Sequence, residues 1–239
     1  MSAAFDGQAV VVAGGTGGLG RAVSLAFLSA GATVVVTYRS RAEFDTLVAA
    51  AGSAATRLDG RATDVTDEAE ARNLVEGIVA KHGRLDALVN TVGGYTGGTA
   101  LWEVESEALD RMLALNVKSG YALVRATVPA MLKQKRGSIV NIAARAGVAP
   151  PAGAAVYAAS KAAALALMAS LAADLAGTGV RVNSVLPSII DTEANRQAMP
   201  KANFDAWPKP EDIARVIVFL CSEGARVIHG ASIPVYGGA

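Results

Sequence analysis

The chain has 239 residues, 52% hydrophobic and 18% charged, which is material for one large α/β domain whose sheet is buried on both faces. Its 22 basic and 21 acidic residues leave a net charge of +1, too balanced to draw nucleic acid or a membrane surface. The lone cysteine, Cys221, excludes an internal disulfide; with only two histidines it leaves no cluster of soft metal ligands and fits a reducing, cytoplasmic compartment.

No basic segment with a cleavage site precedes the first apolar run, so no secretory signal is expected. Short β-branched runs then recur at Gln8 to Ala13, Thr33 to Thr37, Thr56 to Val65, Ala87 to Thr91, Ser138 to Ile142, Arg181 to Leu186 and Ser232 to Val235. Amphipathic helical segments separate them. This alternation predicts right-handed crossovers and a doubly wound α/β fold, a seven-stranded parallel sheet with helices on both faces, in a single domain spanning 1–239. The apolar stretch Ala162 to Ala176, interrupted by Ser170 and Asp174, is short for a bilayer span and reads as a buried helix. The irregular stretch Ser188 to Pro210 is the expected substrate lid.

Ligands of such sheets bind beyond the carboxyl ends of the strands, so the residues just after each strand carry the functional reading. After the first strand comes A-G-G-T-G-G-L-G, Ala13 to Gly20, leading into a helix. Glycines allow a tight turn there, and the helix start offers free N–H groups to a pyrophosphate. Gly14, Thr16, Gly18, Leu19 and Gly20 are the candidate contacts.

Tyr157 and Lys161, in Y-A-A-S-K, stand at i and i+4 of a helix, so a cation lies beside a phenol. A free phenol has a pKa of about 10, and a neighbouring ammonium is expected to lower it toward useful proton exchange. An ordinary exposed helix pair is the plain alternative.

The spacing of Gly14, Gly18 and Gly20 resembles the T-G-x-x-x-G-x-G turn of the short-chain dehydrogenase/reductase family, and Y-x-x-x-K resembles its catalytic pair. The resemblance covers the whole chain. It implies a Rossmann domain that binds a nicotinamide cofactor, with Asp64 and Val65 at the adenine and Asn90 in a stabilising motif, L-V-N-T-V-G-G. It also implies that Asn116 supports a proton path to Lys161, and that Pro187 and Thr192 border the nicotinamide, with Ser188 in place of the family's glycine. A homodimer or homotetramer follows from the family, through the long helices expected near Glu107 to Met131 and Val156 to Leu175.

The second strand ends in Thr37-Tyr38-Arg39-Ser40, with no carboxylate to take a ribose 2′-hydroxyl. Arg39 is placed to accept a 2′-phosphate, so NADP(H) is the expected cofactor, with NAD(H) still open. A solvated loop charge is the alternative reading of Arg39.

One departure stands out. The family's carbonyl-binding serine is replaced by Ala144, and the neighbouring Ala143 carries no hydroxyl either. Losing such a donor typically costs about a hundred- to a thousandfold in rate on a developing oxyanion. The quinonoid dihydropteridine reductase branch lacks this serine, and two loops resemble it: Gly93 to Gly98 with Tyr95, and Asp191 to Trp207 with Met199 and Trp207. Tyr95, Ala144, Met199 and Trp207 are therefore the expected substrate contacts, although lid aromatics serve equally well to pin a lid. Hydride transfer to a small conjugated substrate, a quinonoid dihydropterin, is the leading expectation. A 3-oxoacyl thioester or ketone reductase is the alternative, and a cofactor-binding sensor without catalysis is the third.

Overall fold

Each apolar run is followed by a helix that carries the chain back over the sheet, so successive strands enter it pointing the same way. The computed structural model describes residues 4–238. Its strands are β1 (Ala9–Ala13), β2 (Thr33–Tyr38), β3 (Leu58–Ala62), β4 (Ala87–Asn90), β5 (Gly137–Ile142), β6 (Val180–Pro187) and β7 (Ser232–Val235). They form one sheet in the order β3-β2-β1-β4-β5-β6-β7, and every neighbouring pair is parallel. The order reverses between β1 and β4, where Val10 pairs with both Val34 and Ala87.

Side chains alternate across each strand, so one strand feeds two cores. Val10, Val12, Val34, Val36, Val140 and Val185 face a core closed by Phe27, Ile213 and Ile217. Val11, Val35, Leu88, Ile139 and Val182 face the other, closed by Leu74, Leu123 and Met168. The first is covered by α1 (Gly18–Ser29), α2 (Arg41–Ala51) and α8 (Pro210–Cys221), the second by α3 (Glu68–His82), α5 (Ser119–Gln134) and α6 (Ala155–Asp174). Two further helices, α4 (Ser106–Leu113) and α7 (Glu193–Ala198), lie outside these layers.

Four expectations change. The third strand is shorter than Thr56 to Val65, because only Leu58 to Ala62 finds partners on β2, and Asp64 and Val65 sit past its end. The helix expected over Glu107 to Met131 is interrupted: α4 and α5 are joined by a wide turn at Ala114–Lys118, which adds a residue per turn and presents Asn116 inward. The lid is not wholly irregular, since Thr192 accepts from the Asn195 amide and caps α7 within it. Finally, α6 runs 20 residues, long and apolar enough by those measures alone to cross a bilayer. Here it packs on β6 and α4, burying Val156, Ala164, Met168 and Ala172, and is the core helix of the second layer.

Candidate active site

The glycine turn is built by close approach. Gly14 has φ +72°, a region that suits glycine, and a β-carbon on Gly20 would overlap the Gly14 carbonyl oxygen. The turn is tied to β2 and β4: Gly14 N–H donates to Thr37 Oγ1 at 2.9 Å, and Thr91 Oγ1 donates to the Ala13 carbonyl at 2.7 Å. Gly17 precedes α1 with no side-chain cap, which leaves first-turn N–H groups available to an anion. Leu19 is buried in the core, so only its backbone can serve a ligand, and Thr16 donates its hydroxyl to Glu43 at 2.9 Å.

Beyond β2, Arg39 is exposed and enters no ion pair among the described residues. Asp64 lies within its field; the Thr66 amide, the Thr66 hydroxyl and then Arg39 hold its carboxyl below the usual range. Val65 is buried beneath them. Asn90 is also buried, donating to Asn141 Oδ1 at 3.1 Å and accepting from Val92 N–H at 3.2 Å. It joins β4 to β5 and shapes the loop that follows.

Tyr157 and Lys161 both emerge from α6, but not as a bonded pair. The Lys161 ammonium donates to the Ile142 carbonyl at 2.9 Å, and burial pushes its pKa down to about 8. Tyr157 goes the opposite way from the expected lowering: burial, then the nearby Tyr95, push it up to about 12. Desolvation outweighs any help from the lysine, which is spent on a backbone carbonyl. The Tyr95 ring stands edge-on to Tyr157 with centroids 5.0 Å apart, while remaining 68% exposed.

Asn116 is satisfied on both sides of its amide. Its Nδ2 donates to Ser160 Oγ at 2.9 Å and to the Gly94 carbonyl at 3.1 Å, and its Oδ1 accepts from Gly94 N–H at 3.0 Å. A β-carbon on Gly93 would come within 2.8 Å of Asn116 Oδ1 and 3.2 Å of Lys161 Nζ, so both polar heads converge on that glycine. Ser160 and the Ile142 carbonyl are site components that sequence reasoning missed, and Gly93 was read only as part of the Gly93 to Gly98 loop. Ser160 lay inside the Y-A-A-S-K motif and carried a signal; a backbone carbonyl carries none.

Ala144 is buried and extended (φ −164°) just after β5, so the site holds no hydroxyl there. Pro187 ends β6 against Val235 of β7. Ser188 takes the glycine position without positive φ and donates its hydroxyl to the Tyr236 carbonyl at 2.7 Å, so the turn needs no glycine. Thr192 reaches back to the glycine turn: a β-carbon on Gly18 would lie 2.8 Å from Thr192 Cγ2. Within the lid, Asp191 accepts two bonds from Arg196, whose guanidinium covers the Phe204 ring, which in turn packs on Trp207 at 5.0 Å. Trp207 is only 7% exposed and is built into the lid, while Met199 stays half-buried.

Residues 8–203 match the family model described as short chain dehydrogenase. The chain is 34% identical to 3-oxoacyl-[acyl-carrier-protein] reductase of Thermotoga maritima, over 98% of both chains. It is 33% identical to meso-2,3-butanediol dehydrogenase of Serratia marcescens, over 98% of this chain and 95% of that one. Among solved structures, ElxO with NADP bound superposes with a TM-score of 0.92 at 28% identity, over 97% of this chain and 98% of that one. A short-chain type dehydrogenase/reductase from Mycobacterium ulcerans gives the same score at 29% identity, over 98% of this chain and 90% of that one. The glycine turn, the parallel order of the sheet and the Tyr157–Lys161 helix thus have one explanation: the chain belongs to the short-chain dehydrogenase family and is an NAD(P)-dependent oxidoreductase.

Proposed function

We propose that the chain interconverts a small carbonyl compound and its alcohol with NADP(H). The observation that carries this reading is the meeting of Lys161 and Asn116 at Gly93, with Tyr157 one turn before Lys161 on α6, beside the glycine turn at the reversal of strand order. The relatives named for 3-oxoacyl and butanediol substrates support a carbonyl–alcohol couple.

The residues present fit a phosphorylated dinucleotide. Gly14 and Gly20 draw the turn tight, since a β-carbon at either would meet the chain itself, α1 offers uncapped amides, and the exposed Arg39 suits a 2′-phosphate. The NADP-bound structural neighbour is in keeping with this. When bound, the nicotinamide supplies or accepts a hydride. Tyr157, which burial keeps protonated, gives its proton to the carbonyl oxygen as the carbon becomes an alcohol. Lys161, with one ammonium proton on the Ile142 carbonyl, would hold ribose hydroxyls with the others and help restore that proton, and Asn116 keeps the Gly93–Gly94 loop and Ser160 in register. Asp64 and Val65, past the end of β3, would hold the adenine, Asn90 sets the loop after β4, and Pro187 and Thr192 would hold the nicotinamide.

A second reading, reduction of a quinonoid dihydropterin, is favoured by Ala144 and by Tyr95 standing on Tyr157. A quinonoid ring spreads the arriving charge over its own nitrogens and needs no serine donor. NADPH oxidation measured with a diketone, an acetoacetyl thioester and quinonoid dihydropterin, with Tyr157→Phe as control, separates the readings. Turnover of the pterin alone overturns the carbonyl reading; turnover of neither while NADPH still binds tightly leaves a sensor.

Self-association through α5 and α6 belongs to the same proposal. The outer face of α6 shows Ala159, Ala162, Ala163, Ala166 and Ala169 to solvent, and α5 shows Tyr121 and Leu132, an apolar surface suited to a second copy. Sedimentation equilibrium tests it, with a monomer as the failing result.

A further inference from the structure

Arg145 directly follows the position that lacks a hydroxyl. Ala143 N–H still donates to the Val185 carbonyl, so the chain runs beside β6 until Ala144 and then turns onto α6, where a β-carbon on Gly147 would touch the Lys161 backbone at 3.0 Å. The Arg145 guanidinium sits over the ring of Tyr236 at 5.1 Å. Tyr236 follows β7, and β6 lies between β5 and β7. Neighbouring strands are about 4.8 Å apart. The contact between Arg145 and Tyr236 therefore bridges the carboxyl end of β6, the edge at which ligands of such sheets bind.

This cation is positioned and unspent. Its place over the Tyr236 ring anchors the guanidinium, and its N–H groups make no hydrogen bond to another side chain or carbonyl among the described residues. Tyr236 is held in turn by the bond from Ser188 Oγ to its carbonyl. Seven other arginines, Arg41, Arg61, Arg84, Arg125, Arg136, Arg196 and Arg215, have carboxylates within reach. Arg145 has none among the described residues, and the acid that opens the lid, Asp191, gives both oxygens to Arg196.

We propose that Arg145 is a specificity-determining residue that receives a carboxylate on the substrate, making the preferred substrate an oxo acid rather than a neutral ketone. This rests on the carbonyl reading of the site. A planar fork with two parallel N–H donors matches a carboxylate and orients the rest of the molecule toward Tyr157.

The test uses a 3-oxo acid and its methyl ester as substrates, and hexanoate and hexanamide as ligands that cannot react, on the wild-type chain, Arg145→Gln and Arg145→Lys. Arg145 is exposed, so both variants fold; thermal melting and NADPH affinity check this. The wild type is expected to favour the acid over the ester, and Arg145→Gln to lose about tenfold or more in kcat/KM for the acid alone, mostly through KM. Arg145→Lys falls between, since it keeps the charge and loses the fork. Calorimetric titration with NADP+ present should show hexanoate binding to the wild type and weakly to Arg145→Gln. Equal losses for acid and ester, or equal binding of hexanoate and hexanamide by the wild type, overturn the inference. Absence of NADPH oxidation with either substrate, with hexanoate binding still dependent on Arg145, overturns the carbonyl reading and leaves the anion site standing.

Discussion

Lys161 gives its ammonium to the carbonyl oxygen of Ile142 at 2.9 Å, two residues before the Ala144 position, and not to the phenol of Tyr157 one helical turn away on the same face. A buried cation is thus held by a neutral acceptor at the end of β5.

Stability should report that burial. The folded pKa of Lys161, about 8, lies below its ordinary 10.5, so between those values the unfolded chain binds the proton and the folded chain does not. Stability then rises with pH across this window, and below pH 8 the full cost of burying the charge is present. Above pH 10 the raised Tyr157 pulls the other way, because the folded chain keeps a proton that the unfolded chain has lost. Urea denaturation from pH 7 to 10 should show a gain of roughly 2 kcal/mol in the wild type that Lys161→Met lacks. Parallel pH profiles for the two would count against it.

Tyr157→Phe keeps the ring against Tyr95 and removes the proton. Steady-state rates should fall about a hundred- to ten-thousandfold, with NADPH affinity unchanged within twofold or so. A loss confined to KM would show that the hydroxyl only binds.

Gly20→Ala puts a methyl group into the Gly14 carbonyl, a backbone atom that cannot swing aside. The expected cost is about 1–3 kcal/mol in chemical denaturation, together with weakened cofactor binding as the turn opens. Gly77→Ala, where a β-carbon meets open space, is the matched control and should be neutral or stabilising.

Arg39→Ala tests cofactor choice at an exposed position whose removal leaves the fold intact. The KM for NADPH should rise about ten- to a hundredfold while that for NADH barely moves. Equal effects on both would assign Arg39 to the surface.

Ala144→Ser restores a hydroxyl at a buried, extended position beside the phenol helix. Turnover of a simple ketone should rise by about tenfold or more, as expected for an added oxyanion donor. No gain would mean that the site already supplies a donor from elsewhere.

The alternation of apolar runs and helical segments was enough to read seven strands and a doubly wound sheet, because strand burial on both faces leaves a local signature in Val and Ile. The glycine turn and the Tyr157–Lys161 spacing were legible for the same reason: a turn that excludes β-carbons and a helix that places i and i+4 together are written in adjacent residues. Strand length at the edge was not legible, since whether Thr56 or Asp64 pairs depends on where β2 ends. Nor was the wide turn that aims Asn116, which breaks no helical pattern of residue types.

The sequence by itself determined which residue types stand at each strand end: the glycines, Arg39, the absent hydroxyl at Ala144 and the phenol–lysine pair. Only the tertiary structure decided their state. Burial raised Tyr157 and lowered Lys161, and the lysine turned to Ile142 instead of the phenol. Strand order carried Arg145 across β6 to Tyr236, and packing drew Trp207 into the lid. Solvation and partner choice depend on segments far apart in the chain that meet only when the sheet is assembled, so no local pattern encodes them.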